Sequence, residues 1–307
     1  MFRTSSLLRK RMKKKSESGE KMSEYLPLKK KVEKNIYNLK DFSDYMKASG
    51  MTEKSMKSYL TTANEFMSRY GGEITPDNIY SYRYELIDSL NPKTVNSKLM
   101  YLSKYMKFLG LNIELKCLKL TKRTFIENVI SIGDYERLKL NLLQEDRKQD
   151  YYMVWTMGAT GARLSELLKL KAEHIRQGYL DVHSKGKYRR IYIPKNLRES
   201  YAGYIEENKI RGYLFVSSRD PGSRRKALSE NAVQKKIAAF SDIYGIDRSV
   251  MYPHSFRHMF GKAFIAKYAD IALLADLMGH ESIETTRIYL MMTEREQKDI
   301  VDATVTW

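Results

Sequence analysis

Six polar residues in the second half of the chain could together perform one kind of chemistry. They are Arg163, Lys185, His254, Arg257, His280 and Tyr289. In that order they stand in four short segments, TGARLSE, SKGKYRR, HSFRH and MGHESIETTRIY. Each residue alone has an ordinary structural explanation, such as a helix ion pair or a packed imidazole. As a set they supply a hydroxyl nucleophile, two guanidinium groups, an ammonium and two imidazoles, which are the groups needed to break a phosphodiester without a metal.

The roles follow from the chemistry of each group. Tyr289 carries the hydroxyl that would attack phosphorus. Arg163 and Arg257 would hold the non-bridging oxygens, because a planar guanidinium grips two oxygens at once and can do so most strongly in the transition state. Lys185, at a hairpin tip, would give a proton to the leaving 5′ oxygen. The two histidines are left to take or share the tyrosine proton and to brace the phosphate.

Together the segments resemble the tyrosine recombinase family, the lambda-integrase and Xer-like enzymes. The catalytic domain of that family shows a T-G-x-R-x-x-E turn, a hairpin lysine, an H-x-x-R box, a G-H pair and a tyrosine nine residues after that histidine, and all five features are present here. The resemblance covers roughly residues 35–295. It implies an enzyme that cleaves and rejoins DNA through a covalent 3′-phosphotyrosine, with no cofactor, metal or ATP.

The resemblance also assigns roles among these residues. It implies that His254 accepts the tyrosine proton, that His280 donates to the phosphate, and that Glu166 orients the helix behind the first arginine. The family's G-K-G register points to Lys185 as the acid, while Lys187 in the same hairpin remains an alternative. One departure lies inside the H-x-x-R box, where Ser-Phe replaces the frequent Asp-Leu and leaves the two functional positions intact.

Hydrophobic spacing and capping residues predict the scaffold that must position these groups. Residues 35–114 show four helical patterns, with helix starts at Thr52, Thr75-Pro76 and Asn91-Pro92. They predict an all-helical domain, which the resemblance identifies as a core-binding (SAM-like) DNA-binding domain. A basic linker at 115–128 follows.

Residues 129–307 are expected to form the catalytic domain with a C-terminal tail helix. Its expected elements are helices near 132–146 and 149–159, a hairpin at 178–194 with its tight turn at Lys185-Gly186, a helix near 196–208, a short strand at 213–217, helices near 230–244, 253–267, 270–278 and 282–291, and a tail helix after Thr293. The fold class is mainly α with a small β-hairpin (α+β). The resemblance implies a two-domain C-shaped clamp around the duplex.

The charge balance indicates a polyanionic partner. The chain has 55 Lys and Arg against 37 Asp and Glu, a net charge of +18, and such a field attracts nucleic acid. Residues 1–34 carry 12 basic and 4 acidic residues and are expected to be disordered without a partner; Met22 could be the natural start. The residues expected to contact DNA are Arg219, Arg224, Arg225, Lys226, Gln234, Lys235 and Lys236.

The partners expected from the resemblance are double-stranded DNA with paired inverted recombination sites and a homo-tetramer on two sites, and an accessory DNA-bending protein would be compatible with it. The tail after Thr293 would dock on a neighbouring protomer, or else pack on its own domain. No apolar run is long enough to span a bilayer. The single cysteine, Cys117, fits a reducing cytoplasm.

Three rival interpretations remain at this point. His254 and His258 stand four residues apart on a predicted helix, a spacing that can bind zinc, but no H-E-x-x-H motif is present. A type IB topoisomerase would use similar chemistry to relax DNA as a monomer. A non-catalytic DNA-binding protein could share the scaffold, although it would not need the complete polar set.

Overall fold

The computed structural model describes residues 39–111, 113, 115–120, 128–184, 187–217, 226–291 and 294–305. The chain divides into two compact units, residues 1–122 and 123–307, called here the first and second units. The predicted basic tail, Lys185 at the hairpin tip, and Arg219, Arg224 and Arg225 of the predicted DNA contacts lie outside the described residues.

The described part of the first unit is helical. Its helices are α1 (Leu39–Ala48), α2 (Glu53–Arg69), α3 (Pro76–Ser89) and α4 (Pro92–Phe108). Side chains of Thr52, Thr75 and Asn91 accept hydrogen bonds from backbone N–H groups at the starts of α2, α3 and α4. Each such cap contributes about 1 kcal/mol to helix stability. The helix starts predicted from these residues are confirmed.

An aromatic core joins these helices. Phe66 of α2 and Tyr82 of α3 are fully buried and meet edge to face with ring centroids 5.4 Å apart. Phe42 of α1 and Tyr105 of α4 form a second pair at 5.0 Å. Aromatic pairs of this geometry add to the stabilisation from buried area. These pairs join α2 to α3 and α1 to α4, and α2 and α4 also contact each other directly.

The second unit is mainly helical with one hairpin. Its elements are α5 (Ile132–Gln144), α6 (Lys148–Thr160), α7 (Leu164–Leu167), α8 (Ala172–Gln177), β1 (Tyr179–Ser184), β2 (Lys187–Tyr192), α9 (Lys195–Glu207), α10 (Glu230–Tyr244), α11 (Pro253–Tyr268), α12 (Ile271–Met278), α13 (Ile283–Thr286) and α14 (Glu294–Thr304). Short 3₁₀ turns occupy Arg248–Val250 and Arg287–Leu290. The α+β fold class predicted from the sequence is confirmed.

The hairpin presents one face to the core. Strands β1 and β2 pair antiparallel, with Leu180 opposite Ile191 and Val182 opposite Arg189. Leu180, Val182 and Ile191 are buried, as their alternation predicted. The tight turn predicted at Lys185-Gly186 lies outside the described residues.

Two sequence predictions differ from the structure. The short strand expected at 213–217 is absent from the described sheet, where Tyr213 and Val216 form only isolated bridges to Lys171 and Ala227. Adjacent residues of this segment are both buried, so it lacks the alternation of a one-sided strand. The helix expected at 282–291 is two short turns, α13 and the 3₁₀ turn that carries the tyrosine.

Across the described ranges, every helix falls short of the length and apolar character needed to cross a membrane.

Candidate active site

Three arginine side chains meet at the carboxyl end of α12. We call Arg163, Arg189 and Arg257 the arginine cluster. Arg163 Nη2 donates a hydrogen bond to the carbonyl oxygen of Gly279 at 2.8 Å, and Arg257 Nη2 donates to that of Met278 at 2.6 Å. Arg189 Nη1 donates to the carbonyl oxygen of Leu277. The last carbonyls of a helix have no intrahelical partner and carry partial negative charge. The carboxyl end of α12 therefore stabilises three positively charged side chains close together.

Arg257 is the most buried member of the arginine cluster, at 3% exposed. Its Nη1 donates to the carbonyl of Gly161, and its Nη2 lies 3.0 Å from Nε2 of His280. Burial, then the neighbouring charge of Arg163, lower the pKa of Arg257 to about 10. The guanidinium remains charged at neutral pH, and an anion beside it would offset both effects.

Glu166 links the other two arginines of the cluster. It occupies the first turn of α7, where Oε2 accepts the backbone N–H of Arg163 at 2.7 Å, and Oε1 accepts from the Arg163 side chain at 3.2 Å. Arg189 donates to both carboxylate oxygens. Burial raises the pKa of Glu166, but these hydrogen bonds and charges outweigh it and the net pKa is lowered. The carboxylate therefore stays ionised and holds Arg163 at the helix start.

Gly279 allows the close approach of Arg189. Its φ of 61° is left-handed and ends α12. A Cβ atom at this position would overlap Cδ of Arg189. The glycine is thus required both by its backbone conformation and by the side chain that covers it.

His280 follows this glycine and is held from both sides. Its Nδ1 lies 2.8 Å from the hydroxyl of Thr286 and its Nε2 faces Arg257. Because arginine only donates, Nε2 is the acceptor and Nδ1 carries the proton. Burial, then Arg257, lower the pKa of His280 to about 4. In this arrangement Nε2 accepts, so the predicted role of His280 as a phosphate donor remains a prediction that requires a change of tautomer or protonation.

Tyr289 is 4% exposed and packs beside His280 and Arg257. Its ring is nearly parallel to that of His280, at an angle of 7° with centroids 6.2 Å apart. Burial raises the pKa of Tyr289 to about 12, although Arg257 and Arg163 act in the opposite direction. The phenol is therefore protonated at neutral pH, and its attack on phosphorus requires a group that accepts its proton.

The imidazole that contacts the phenol belongs to His258. Its Nδ1 lies 3.2 Å from the Tyr289 hydroxyl. His254, the residue to which the resemblance assigned proton acceptance, stands one turn earlier on α11 with its ring 6.4 Å from that of His258. Burial, then Arg257 and Arg163, lower the pKa of His254. The role of His254 remains a prediction.

Two groups of predicted residues remain, the hairpin lysine and the residues expected to contact DNA. Strands β1 and β2 pair as far as Ser184 and Lys187, and Lys185 itself lies outside the described residues. Lys226, Gln234 and Lys235 are exposed. The ammonium of Lys236 instead donates to the carboxylate of Asp150 at 2.7 Å, within the second unit.

Sequence reasoning missed Arg189 and considered His258 only as a zinc ligand. Both lie in the segments SKGKYRR and HSFRH quoted above, and each has a sequence feature that could have indicated its role. Arg189 alternates with Ile191 and Ile193 on the inward face of the hairpin, so a charge there needs a buried partner. His258 follows Arg257 directly on α11. As for the zinc alternative, no group of three or more His, Cys, Asp or Glu side chains within the described ranges could hold a metal ion.

Comparison with known proteins shows the family of this chain. The model of the phage integrase family matches residues 132–296. The tyrosine recombinase XerA of Pyrococcus furiosus is 28% identical over 272 residues, covering 86% of this chain and 92% of the relative. The TnP I resolvase of Bacillus thuringiensis is 24% identical, covering 85% and 97%.

Solved structures share the fold. The XerH site-specific recombinase bound to its difH substrate has a TM-score of 0.65 at 18% identity, covering 87% of this chain and 83% of that one. The Tn1549 transposon integrase in complex with circular intermediate DNA has a TM-score of 0.61 at 13% identity, covering 86% and 98%. The fold and site define a catalytic domain of the tyrosine recombinase type. The chain belongs to the phage integrase family.

Proposed function

We propose that this protein is a site-specific DNA recombinase that cleaves and rejoins DNA through a covalent 3′-phosphotyrosine on Tyr289. The observation that carries the proposal is the convergence of Tyr289, Arg257 and Arg163 at the end of α12, inside a family whose named relatives are tyrosine recombinases. ATP is not needed, because the phosphotyrosine bond conserves the energy of the broken phosphodiester. The arginine cluster would supply the positive charge that a metal ion provides in other phosphoryl-transfer sites.

The arginine cluster would bind the scissile phosphate. Arg163 is the accessible member, with 37% of its side chain exposed. Arg257 lies deeper, next to the phenol that must reach phosphorus. Two guanidinium groups fixed before the reaction stabilise the charge that develops on the non-bridging oxygens, with no cost of reorganisation at that moment. Lys185 would protonate the leaving 5′ oxygen from the hairpin turn, with Lys187 as the alternative acid.

A second basic surface in the first unit supports DNA binding. Lys54 and Lys57 of α2 and Lys93 and Lys98 of α4 line a shallow groove, the lysine groove, with the hydroxyls of Ser58, Thr61, Thr94, Ser97 and Tyr101. All the charged side chains that line it are lysines. Ammonium and hydroxyl groups on neighbouring helices are suited to phosphate oxygens of a DNA backbone. We place a backbone contact in this groove.

The predicted assembly belongs to the same proposal. Recombination between two sites requires two duplexes, and we propose a homo-tetramer with one protomer on each half-site. In α14, Ile300 and Val301 are exposed apolar residues, and a second protomer could cover them. DNA contacts at Lys226, Gln234 and Lys235 complete the proposal for the second unit.

The experiment is a covalent-capture assay. DNA flanking the gene is searched for inverted repeats around a short spacer, and a duplex of that sequence is nicked so that the cleaved strand diffuses away. We expect a protein–DNA adduct whose phosphorylated peptide contains Tyr289. Bound duplex with unmodified protein would contradict the proposal, and relaxation of supercoils without exchange between two duplexes would indicate a topoisomerase instead.

A further inference from the structure

The contact between His258 and Tyr289 is built by the local structure of α11. Gly261 stands one turn after His258 on this helix, and a Cβ atom there would lie 2.6 Å from Cε1 of the Tyr289 ring. A glycine inside a helix costs about 1 kcal/mol relative to alanine. Here it lets the tyrosine ring lie against the helix backbone. The hydroxyl then reaches Nδ1 of His258 at 3.2 Å.

Burial and the neighbouring charges keep the ring of His258 neutral. The ring is packed against Tyr289 and lies near His254 and Arg257 of its own helix. Burial, then His254 and Arg257, lower the pKa of His258 to about 4. From α12 and the turn after it, His280 is the titratable neighbour, and its own pKa is also lowered to about 4. A neutral imidazole has one unprotonated nitrogen that can accept a hydrogen bond.

We propose that His258 accepts the proton of the Tyr289 hydroxyl during DNA cleavage, an inference that rests on the proposed function. The tautomer with its proton on Nε2 leaves Nδ1 to accept. As the phenolic oxygen bonds to phosphorus, its O–H bond breaks and an Nδ1–H bond forms, giving an imidazolium. The bond from phosphorus to the 5′ oxygen breaks, and that oxygen receives a proton from the lysine acid. In the rejoining step the proton returns from His258 to the phenol.

The geometry favours His258 over His254 for this step. His258 is the imidazole in hydrogen-bond contact with the phenol, whereas the His254 ring stands farther along the helix, toward its start. In the absence of DNA, burial and Arg257 lower the pKa of both imidazoles, and Arg163 lowers that of His254 as well. A bound phosphate supplies a negative charge, so proton uptake becomes easier when substrate is present. The nucleophile is thereby activated only on DNA.

The test measures covalent attachment to a nicked duplex that carries sulfur at the 5′ bridging position. A thiolate leaves without a proton, so the lysine acid does not influence the pH profile. His258→Asn places an amide near the position of Nδ1, which keeps a hydrogen bond but cannot take up a proton. We expect attachment at pH 7 to be about 10²-fold slower than in wild type. The rate should rise about tenfold per pH unit up to pH 9, as hydroxide replaces the base, while wild type stays nearly flat.

His254→Asn is the matched control, one turn away on the same helix. Its attachment should show no such rise between pH 7 and pH 9. Binding of the intact duplex by each variant shows that it is folded, and His258→Gln provides a second variant if the asparagine variant does not bind. A wild-type rate for the His258 variants, a deficit equal at every pH, or a pH-dependent recovery in His254→Asn would each overturn the assignment. Absence of any adduct with wild type would instead overturn the proposed function, and this step with it.

Discussion

The lysine groove of the first unit and the arginine cluster of the second are both cationic, but they are built differently. In the groove, lysine side chains of α2 and α4 lie among hydroxyls, and one of them, Lys98, pairs with Glu65. In the cluster, Arg257 is buried and Arg163 and Arg189 are tied to Glu166 and to backbone carbonyls. The lysine groove supplies positive charge, whereas the arginine cluster supplies positive charge at fixed positions.

The difference separates two physical tasks. An exposed lysine interacts with phosphate through a screened field and counterion release, so its effect depends on charge number and salt. A held arginine acts through the direction of its N–H groups, so its effect depends on geometry at constant charge. Substitutions that preserve charge should therefore be tolerated in the groove and harmful in the cluster.

The largest expected effect comes from removing the nucleophilic oxygen of the second unit. Tyr289→Phe removes the phenolic oxygen and leaves the arginine cluster and its charge in place. We expect adduct formation to fall by at least about 10⁴-fold, while affinity for the duplex stays within about twofold because the cations remain. Gel analysis of the nicked-duplex reaction and fluorescence anisotropy measure the two quantities. An adduct on the phenylalanine variant would place the nucleophile elsewhere.

A charge-preserving substitution tests the role of geometry. Lysine in place of Arg257 (Arg257→Lys) keeps the positive charge but lacks the planar guanidinium. It therefore cannot contact the carbonyls of Gly161 and Met278 and bind the phosphate at the same time. We expect attachment to slow by about 10²–10³-fold, the loss typical of one oxyanion donor.

Arg248→Lys is the control for that substitution. Arg248 is an exposed residue of the same unit, paired with the exposed Asp242. Its replacement should leave the attachment rate unchanged within about twofold, because surface ion pairs contribute little. Equal losses in the two variants would show that the cluster acts by charge alone.

A contrast between local and long-range contacts explains which features could be predicted from the sequence. Helix starts at Thr52, Thr75 and Asn91 are local, because cap and helix lie within three residues, and they were predicted correctly. The contact of His258 with Tyr289 joins residues 31 apart in the chain. Spacing gives no information on which of two imidazoles on one helix faces a distant phenol, since that depends on packing at Gly261.

A charge-removing substitution tests the groove. Lys54→Gln, Lys57→Gln and Lys93→Gln combined should weaken duplex binding by about tenfold or more at moderate salt. The slope of log affinity against log salt should fall by about 0.9 for each DNA phosphate that the variant no longer neutralises. Anisotropy titrations at several salt concentrations measure both, and the attachment rate of saturated complexes should be nearly unchanged.

The control removes equal charge from another face. Lys148 begins α6, Lys195 begins α9 and Lys209 follows the end of α9. The first two have acidic partners in Glu207 and Glu199. The triple glutamine variant at these positions should change the salt slope by less than half as much as the groove variant. Identical slopes would mean that net charge, and no particular groove, governs binding.

The last comparison concerns stability instead of activity, and it takes one glycine from each unit. Gly50 follows α1 with φ of 72°, and Gly279 ends α12 with φ of 61°. An added Cβ meets nothing within 4 Å at Gly50 but overlaps Arg189 at Gly279. Alanine at Gly50 should cost about 1 kcal/mol in free energy of unfolding, from the left-handed backbone alone. Alanine at Gly279 should cost about 3 kcal/mol, because the arginine must also move.

A double-mutant cycle in urea denaturation separates the two causes. Arg189→Ala removes the atom that an alanine at 279 would meet, so the extra cost of Gly279→Ala should fall by about 1–2 kcal/mol in that background. The matched cycle of Gly50→Ala with Arg189→Ala should show coupling near zero, since these residues belong to different units. If Gly279→Ala costs the same with and without Arg189, the side chain has room to yield and the arginine cluster is not held as tightly as its hydrogen bonds to Glu166 and Leu277 require. The distinction between a surface lined by lysines and a cluster of held arginines would then disappear at Arg189, the residue that joins the hairpin to α12.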